Sequence, residues 1–127
     1  MATDTLIKPF QYCPSLTRYE RWQTRTVMVG DVGNGGANPI RVQSMTTTDT
    51  MDTAATVAQS IRMIQAGCEI VRITAPSRDE AENLAGIKKQ LRAKGYRTPL
   101  VADIHFTPNA AEIAARIVEK VRVNPGN

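Results

Sequence analysis

The chain has 127 residues, enough for one domain with a buried core, and its 42% hydrophobic and 22% charged residues are typical of a globular protein. The net charge of +4 favours an anionic partner, whereas an aromatic content of only 5% argues against a stacking platform for nucleic acid. No apolar stretch is long enough for a membrane span, and two distant cysteines without a secretory signal favour a reduced, cytoplasmic setting.

The amino-terminal part of the sequence predicts an arm and a hairpin. The hydrophobic residues in 1–25 follow neither the spacing of a helix nor that of a strand. We expect this segment to form an arm whose aromatic side chains pack against another part of the protein. Residues 26–29 and 39–44 are typical of two strands. The glycine-rich connection 30–38 contains neither the Gly-Lys-Ser/Thr of a phosphate loop nor a Gly-x-Gly-x-x-Gly fingerprint. We therefore predict that it is a hairpin loop.

Three later segments have the spacing of amphipathic helices and carry start signals. The first follows Asp52, a good N-cap, and the second follows Ser77, which is spaced to form a capping box with Glu80. The third follows Thr107, with proline at the first helical position. Further strands are predicted at residues 69–74, from Leu100 onward and at residues 121–124.

The order of these elements predicts the fold class. A strand and a helix alternate three times before a final strand, which indicates an α/β fold with a parallel sheet. A doubly wound sheet and a barrel both fit this order. An eight-stranded TIM barrel needs about 250 residues, so residues 26–127 would be its amino-terminal half, preceded by the β-hairpin. Because the chain stops directly after a strand, we expect it to be truncated.

Polar side chains recur two residues apart near the carboxyl ends of the predicted strands. The candidate site residues are Gln43, Ser44, Thr46, Arg72, Thr74, Asp103, His105, Arg122 and Asn124. Residues two apart on a strand share a face, so these side chains would line one end of the sheet. Two arginines, a histidine and an asparagine at such an end suit a multiply charged phosphate ligand.

Other interpretations of these residues stay open. In a purely structural one, Asp103 pairs with a neighbouring arginine and His105 caps the following helix. A metal site has less support, because Asp103 and His105 supply only two ligands. A nucleophilic site also has little support, since Ser44 lies outside any Gly-x-Ser-x-Gly motif and Cys68 is predicted to serve in packing.

Taken together, four strings resemble the 4-hydroxy-3-methylbut-2-en-1-yl diphosphate synthase family of the methylerythritol phosphate route to isoprenoids. They are Val42-Gln43-Ser44-Met45-Thr46, Val71-Arg72-Ile73-Thr74, Val101-Ala102-Asp103-Ile104-His105-Phe106 and Arg122-Val123-Asn124-Pro125-Gly126-Asn127. The resemblance runs from about residue 24 onward. Residues 46–53 and 104–111 resemble the long form of the family found in plants, Bacteroidetes and Chlamydiae.

The resemblance implies a reductive ring opening and dehydroxylation of 2-C-methyl-D-erythritol 2,4-cyclodiphosphate, held at the mouth of a TIM barrel. Carried over by motif, the diphosphate contacts are Arg72, His105, Arg122 and Asn124, with Asp103 orienting neighbours or substrate hydroxyls. Gln43, Ser44 and Thr46 are weaker candidates for the pocket wall.

The family also implies a carboxyl-terminal domain that binds a 4Fe–4S cluster through three cysteines and a glutamate, with ferredoxin or flavodoxin as electron donor. Neither Cys13 nor Cys68 lies in a family ligand motif, and two cysteines cannot supply three ligands. We therefore expect this chain to bind no cluster and to be inactive alone. We also expect a half-barrel to self-associate through its open sheet edges.

Two other functions are compatible with the sequence. A non-catalytic α/β module that binds phosphate or nucleic acid would use the basic charge, but no nucleic-acid motif supports it. An aldolase-like barrel would need a Schiff-base lysine, and the only lysine near a strand, Lys120, lies at a strand entrance rather than in its middle.

Overall fold

The computed structural model describes residues 15–20 and 22–126. Its elements, in chain order, are β1 (Val27–Val29), β2 (Val32–Asn34), β3 (Gln43–Met45), α1 (Thr53–Gln65), β4 (Ile70–Thr74), α2 (Arg78–Ala93), β5 (Leu100–Asp103), α3 (Pro108–Ala115) and β6 (Lys120–Arg122). The predicted arm lies mostly outside the described residues. Within its described part, Tyr19 and Trp22 are 79% and 47% exposed.

The predicted alternation of strands and helices is confirmed. Strands β3, β4, β5 and β6 form one parallel sheet in sequence order, and each crossover contains one helix. Parallel strands that follow one another in this way are the repeating unit of an α/β barrel. The four carboxyl ends therefore meet along one edge of the sheet.

The hairpin differs from the sequence-based prediction. β1 pairs antiparallel with β2, with Val29 opposite Val32, so the turn is only the dipeptide Gly30-Asp31. Gly30 has a φ of 58°, a conformation that glycine adopts without strain. Residues 39–44, the predicted hairpin partner, instead lead into β3 of the parallel sheet. The second strand of the hairpin, β2, thus lies inside residues 30–38, the glycine-rich segment that was predicted to be a loop.

The helices cover one face of the parallel sheet. The side chains between sheet and helices are almost completely buried and include Val71, Ile73, Leu84, Ile87, Leu91, Leu100, Ala102, Ala110 and Ala114. Alternation along each strand places Arg72, Thr74 and Asp103 on the opposite face. The apolar core thus fixes the sheet from one side, while the other side carries the polar residues.

The helix ends confirm one predicted cap and correct another. Asp52 caps α1, and its carboxylate accepts a hydrogen bond from the Ala55 N–H at 3.1 Å. Ser77 occupies the N-cap position of α2 but makes no bond to a backbone N–H of the first turn. Its hydroxyl contacts the Glu80 carboxylate instead. The capping box predicted from Ser77 and Glu80 is therefore absent, because the two side chains bond to each other rather than to the backbone.

The hairpin lies against the amino ends of the parallel strands. Arg41 joins the two parts, since its Nε donates to the Gly33 carbonyl at 2.7 Å and its Nη1 to the Glu69 carboxylate at 2.8 Å. A Cβ added to Gly30 would lie 3.4 Å from the Cβ of Pro99, just before β5. The hairpin thus occupies the end of the sheet opposite to the predicted site. None of the described helices is long and apolar enough to cross a membrane.

Candidate functional site

Strand register brings the predicted charged residues together. Thr74, Asp103 and Arg122 are direct neighbours across β4, β5 and β6, and Arg72 lies two residues before Thr74 on the same face. All four lie within the last three residues of their strands. His105 follows two residues after Asp103. The sequence-based prediction that these side chains share one end of the sheet agrees with this arrangement.

Asp103 is the centre of this group, which we call the charged cluster: Arg72, Asp103, His105 and Arg122. The Asp103 residue is 3% exposed, and its two carboxylate oxygens lie 3.0 Å from Arg72 Nη2 and 3.0 Å from Arg122 Nη1. His105 Nε2 lies 3.4 Å from the oxygen that contacts Arg72. The arginine and histidine side chains are 27 to 38% exposed, so they reach solvent while the carboxylate does not.

The charge balance of the cluster suits an anion. Two guanidinium groups face one carboxylate, which leaves one net positive charge when His105 is neutral. Arg72 Nε is buried and has no hydrogen-bond partner among the described residues. The Arg72 guanidinium group therefore keeps one N–H that no other described residue accepts. A fixed cationic surface at the carboxyl ends of parallel strands is a common way to bind phosphate in barrels.

The structural interpretation of the same residues is correct in one respect. Asp103 does pair with arginine, and it pairs with two of them. His105, however, does not cap the following helix, because Thr107 occupies the N-cap position of α3. Thr107 donates to the Pro76 carbonyl at 3.2 Å instead of capping with its side chain. The contact of His105 with Asp103 therefore makes it part of the charged cluster.

A pocket of about 240 Å³ opens beside His105. Asn124 lines it, although its side-chain oxygen also accepts a hydrogen bond from the Gly126 N–H at 3.0 Å. Phe106, which the sequence-based prediction did not include, is 75% exposed and meets the His105 ring edge-on at 6.0 Å. The sequence offered one signal for including Phe106 in the site. The chain has few aromatic residues, and this one directly follows its only histidine.

The residues predicted at the end of β3 divide into two groups. Thr46 contacts Arg72 through the backbone alone, because its N–H donates to the Arg72 carbonyl at 2.9 Å. Gln43 pairs with Ile70 and Ser44 with Val71, so both lie nearer the amino end of the sheet. Alternation also turns Ser44 to the face opposite to Arg72. The structure thus brings the backbone of Thr46 next to Arg72, whereas Gln43 lies on the face of the charged cluster but nearer the amino end of the sheet.

A second pocket, of about 270 Å³, was not predicted. It lies between the loop after β3 and the start of α2, and it is lined by residues 46–50, Thr74, Pro76 and Glu80. Of its lining residues, only Thr46 and Thr74 are among the candidate site residues predicted from the sequence, and the run of threonines after Met45 is the signal in the sequence for the rest.

The described residues do not fit a metal or an iron–sulfur cluster. No group of three His, Cys, Asp or Glu side chains in residues 15–20 and 22–126 is arranged to hold a metal ion. Cys68 is buried, and its thiol donates to the Ile70 carbonyl at 2.9 Å, which agrees with the predicted packing role. No step that uses such a cluster is therefore assigned to these residues.

A parallel sheet whose strands follow one another in sequence, with helices on one face, defines the class of α/β barrel domains. Comparison with known families identifies the chain within this class. The GcpE TIM-barrel domain family matches residues 24–127, so the chain belongs to this family. The prediction of a barrel-type α/β fold is thereby confirmed.

Curated relatives agree with this assignment. The chain is 59% identical over 116 residues to a protein of Akkermansia muciniphila, 60% over 109 residues to one of Parabacteroides distasonis and 52% over 118 residues to one of Leptospira interrogans. Each is named 4-hydroxy-3-methylbut-2-en-1-yl diphosphate synthase (flavodoxin). The matches cover 86 to 93% of this chain but 18 to 20% of the relatives, so the chain spans about a fifth of their length.

Proposed function

We propose that this chain contributes the first half of the substrate-binding barrel of a 4-hydroxy-3-methylbut-2-en-1-yl diphosphate synthase. In this proposal the half-barrel spans residues 26–127, and the arm predicted for residues 1–25 lies mostly outside the described residues. The ligand is 2-C-methyl-D-erythritol 2,4-cyclodiphosphate, whose diphosphate lies on the charged cluster. The observation that carries the proposal is the buried carboxylate of Asp103, which holds Arg72 and Arg122 at 3.0 Å each and leaves a net positive charge.

The residues of the site have different roles in this proposal. Arg72, Arg122 and His105 donate hydrogen bonds to the diphosphate oxygens. Hydrogen bonds to a charged group of this kind are roughly twice as strong as those between two neutral groups. Asp103 has no exposed edge for an anion and acts as a positioning residue for the two arginines. Asn124 and Thr46 border the ligand, while Gln43 and Ser44 are the weakest candidates.

The redox chemistry belongs, in this proposal, to the intact enzyme. That enzyme would open the ring and release a hydroxyl as water, a reduction that takes two electrons from an external donor and protons from the solvent. An iron–sulfur cluster would relay the electrons, and the name of the relatives supplies flavodoxin as the donor. The described residues bind and orient the substrate, so the chain by itself is inactive. We place this function in the cytoplasm, and we propose that the chain self-associates through the edges of its sheet.

Binding experiments test the proposal. The 127-residue chain is titrated calorimetrically with the cyclic diphosphate, and the variants Arg72→Gln and Arg122→Gln are compared with it. Losing one charge-assisted hydrogen bond costs about 1.5–3 kcal/mol, so each variant should bind about 10- to 100-fold more weakly. Arg78→Gln, on the exposed start of α2, is the matched control and should leave the affinity unchanged.

The same titration with a generic oligonucleotide separates this proposal from a nucleic-acid-binding module. Binding of nucleic acid by phosphate contacts falls steeply with salt, whereas a small ligand held by two arginines depends on salt much less. An oligonucleotide that bound more tightly than the cyclic diphosphate, or an Arg72→Gln variant with full affinity and a native circular dichroism spectrum, would overturn the proposal.

A further inference from the structure

His105 is the only histidine of the chain, and its position in the charged cluster gives its protonation state a consequence. Histidine is the one side chain whose charge ordinarily changes between about pH 5 and 8. The His105 side chain is 35% exposed, and its Nε2 lies 3.4 Å from an oxygen of the Asp103 carboxylate. A proton on this ring therefore changes the charge of the surface on which a phosphate ligand would lie.

The contact with Asp103 decides which nitrogen of a neutral ring carries the hydrogen. A carboxylate only accepts hydrogen bonds, so the hydrogen lies on Nε2 and is donated to Asp103. The other nitrogen, Nδ1, then has a lone pair and no hydrogen. Within residues 15–20 and 22–126, no hydrogen bond or ion pair is made to His105 Nδ1. A neutral His105 thus has nothing to donate to a phosphate oxygen that approaches Nδ1.

The charged groups around the ring come from three strands. Arg72 of β4 and Arg122 of β6 oppose a further positive charge, whereas Asp103 of β5 favours one. The pocket beside His105, which includes the start of α3, adds no other charged side chain among the described residues. Without a ligand, two guanidinium groups and one carboxylate leave one net positive charge, which acts against protonation of the ring.

A bound cyclic diphosphate reverses this balance. Its two phosphates carry one negative charge each, so the ligand and the charged cluster together have one net negative charge while His105 is neutral. A proton on His105 restores neutrality. It also places a hydrogen on Nδ1, so that the ring donates to Asp103 through Nε2 and to the ligand through Nδ1. Both the charge and the additional hydrogen bond favour the protonated ring in the complex.

We propose that His105 takes up a proton when a doubly charged phosphate ligand binds, and that it holds the ligand as an imidazolium clamped between the ligand and Asp103. This inference rests on the function proposed above, and it adds the regulation of that site by pH. Because the proton is bound more tightly in the complex than in the free chain, the affinity is highest at low pH. It falls as the pH rises through the range in which the bound ring loses its proton.

Calorimetry tests the coupling in the 127-residue chain. Titrations with the cyclic diphosphate in buffers of different ionisation enthalpy count the protons that are taken up. Each phosphate of this probe has a single, strongly acidic group, so its own charge stays constant near neutral pH. The wild-type chain should take up about half to one proton per ligand near pH 7.5. Its affinity should accordingly fall about three- to tenfold for each pH unit between pH 6.5 and 8.

The variant His105→Gln keeps an amide near the position of Nε2 and removes the titratable ring. It should take up no proton and bind the cyclic diphosphate with an affinity that does not change over this pH range. Arg78→Gln, on the exposed start of α2, is the control and should keep the wild-type proton uptake and pH dependence. The amino terminus and the two cysteines are present in every variant, so protons that they exchange would persist in His105→Gln.

The outcomes distinguish the coupling from the function on which it rests. A wild-type chain that binds the cyclic diphosphate without proton uptake overturns the coupling alone, as does a His105→Gln variant with the wild-type uptake. A wild-type chain that does not bind the cyclic diphosphate at any pH overturns the proposed function together with it. Circular dichroism spectra of all variants across the pH range identify any loss of binding that comes from unfolding.

Discussion

Asp103 combines two properties that usually oppose each other in a single residue. It is 3% exposed, yet it is charged and serves two arginines from different strands. A buried carboxylate is tolerated only when opposite charges and hydrogen bonds compensate for its lost hydration. Here both arginines supply that compensation, and in return the carboxylate fixes where their guanidinium groups lie.

Replacing Asp103 by asparagine should therefore destabilise the fold. The amide cannot balance two guanidinium groups, and its NH₂ group adds donors where acceptors are needed. We expect the free energy of unfolding to fall by about 1–3 kcal/mol, as for other lost charge-assisted bonds. Urea denaturation followed by circular dichroism measures the change. Glu112→Gln, on the exposed face of α3, is the control, and a loss for Asp103→Asn no larger than the control's would contradict this role.

The composition of the charged cluster could be predicted from the sequence because strand alternation is a strong local rule. Arg72, Asp103 and Arg122 each interrupt an apolar strand, and a period of two places each on the face away from the helices. The positions of Gln43 and Ser44 could not be predicted in the same way. Where β3 aligns with β4 depends on pairing between distant segments, and a shift of one residue reverses the face.

At the level of the elements, the hairpin shows what local patterns miss. β2 is only Val32–Asn34 and contains Gly33, so it has neither the length nor the β-branched composition of a typical strand. It forms because β1 pairs with it and because Arg41 ties Gly33 to Glu69 at the amino end of β4. Such tertiary support cannot be read from a segment of three residues.

Glu119 connects three elements at the amino end of the sheet. It lies just before β6, accepts a hydrogen bond from the Leu100 N–H of β5 at 2.9 Å, and pairs with Lys88 and Arg92 of α2 at 3.1 and 2.8 Å. Burial acts to raise the pKa of the Glu119 carboxyl. The bonds from Leu100 and Lys88 outweigh it and hold that pKa below the usual 4.5.

This shift predicts a loss of stability in acid. A carboxyl whose pKa is lowered by folding stabilises the protein above its unfolded pKa, and the contribution disappears as the pH falls through the lower, folded value. Glu119→Gln should therefore lower the free energy of unfolding at pH 7 and flatten its decrease below about pH 4.5. Urea denaturation between neutral and acidic pH measures both effects. Glu82→Gln, an exposed carboxyl of α2, should keep the wild-type slope, and an unchanged slope for Glu119→Gln would refute the link.

The molecule as a whole has two unlike faces. Helices cover one side of the parallel sheet, and the other side carries the charged cluster. β3 and β6 are the two edges of the described four-stranded sheet, and exposed apolar side chains such as Val42, Met45 and Val123 lie at these edges. Unpaired edges of this kind readily pair with another strand.

We expect a second copy of the chain to cover these edges. Two four-stranded sheets related by a twofold axis give eight strands, the number of a closed barrel, with β3 of each copy parallel to β6 of the other. Multi-angle light scattering at micromolar concentration should give twice the 13.9 kDa mass of one chain.

A proline at the edge tests this pairing directly. Val42 and Thr46 bond to β4, so alternation turns the backbone N–H of Gln43 to the free edge of β3. Gln43→Pro removes that donor without removing a bond inside the sheet, and it should shift the mass towards 13.9 kDa while the circular dichroism spectrum stays native. Glu112→Ala, far from both edges on α3, should remain dimeric. A wild-type chain that is monomeric at this concentration, or a dimeric Gln43→Pro variant, would show that the two edges do not pair in this way.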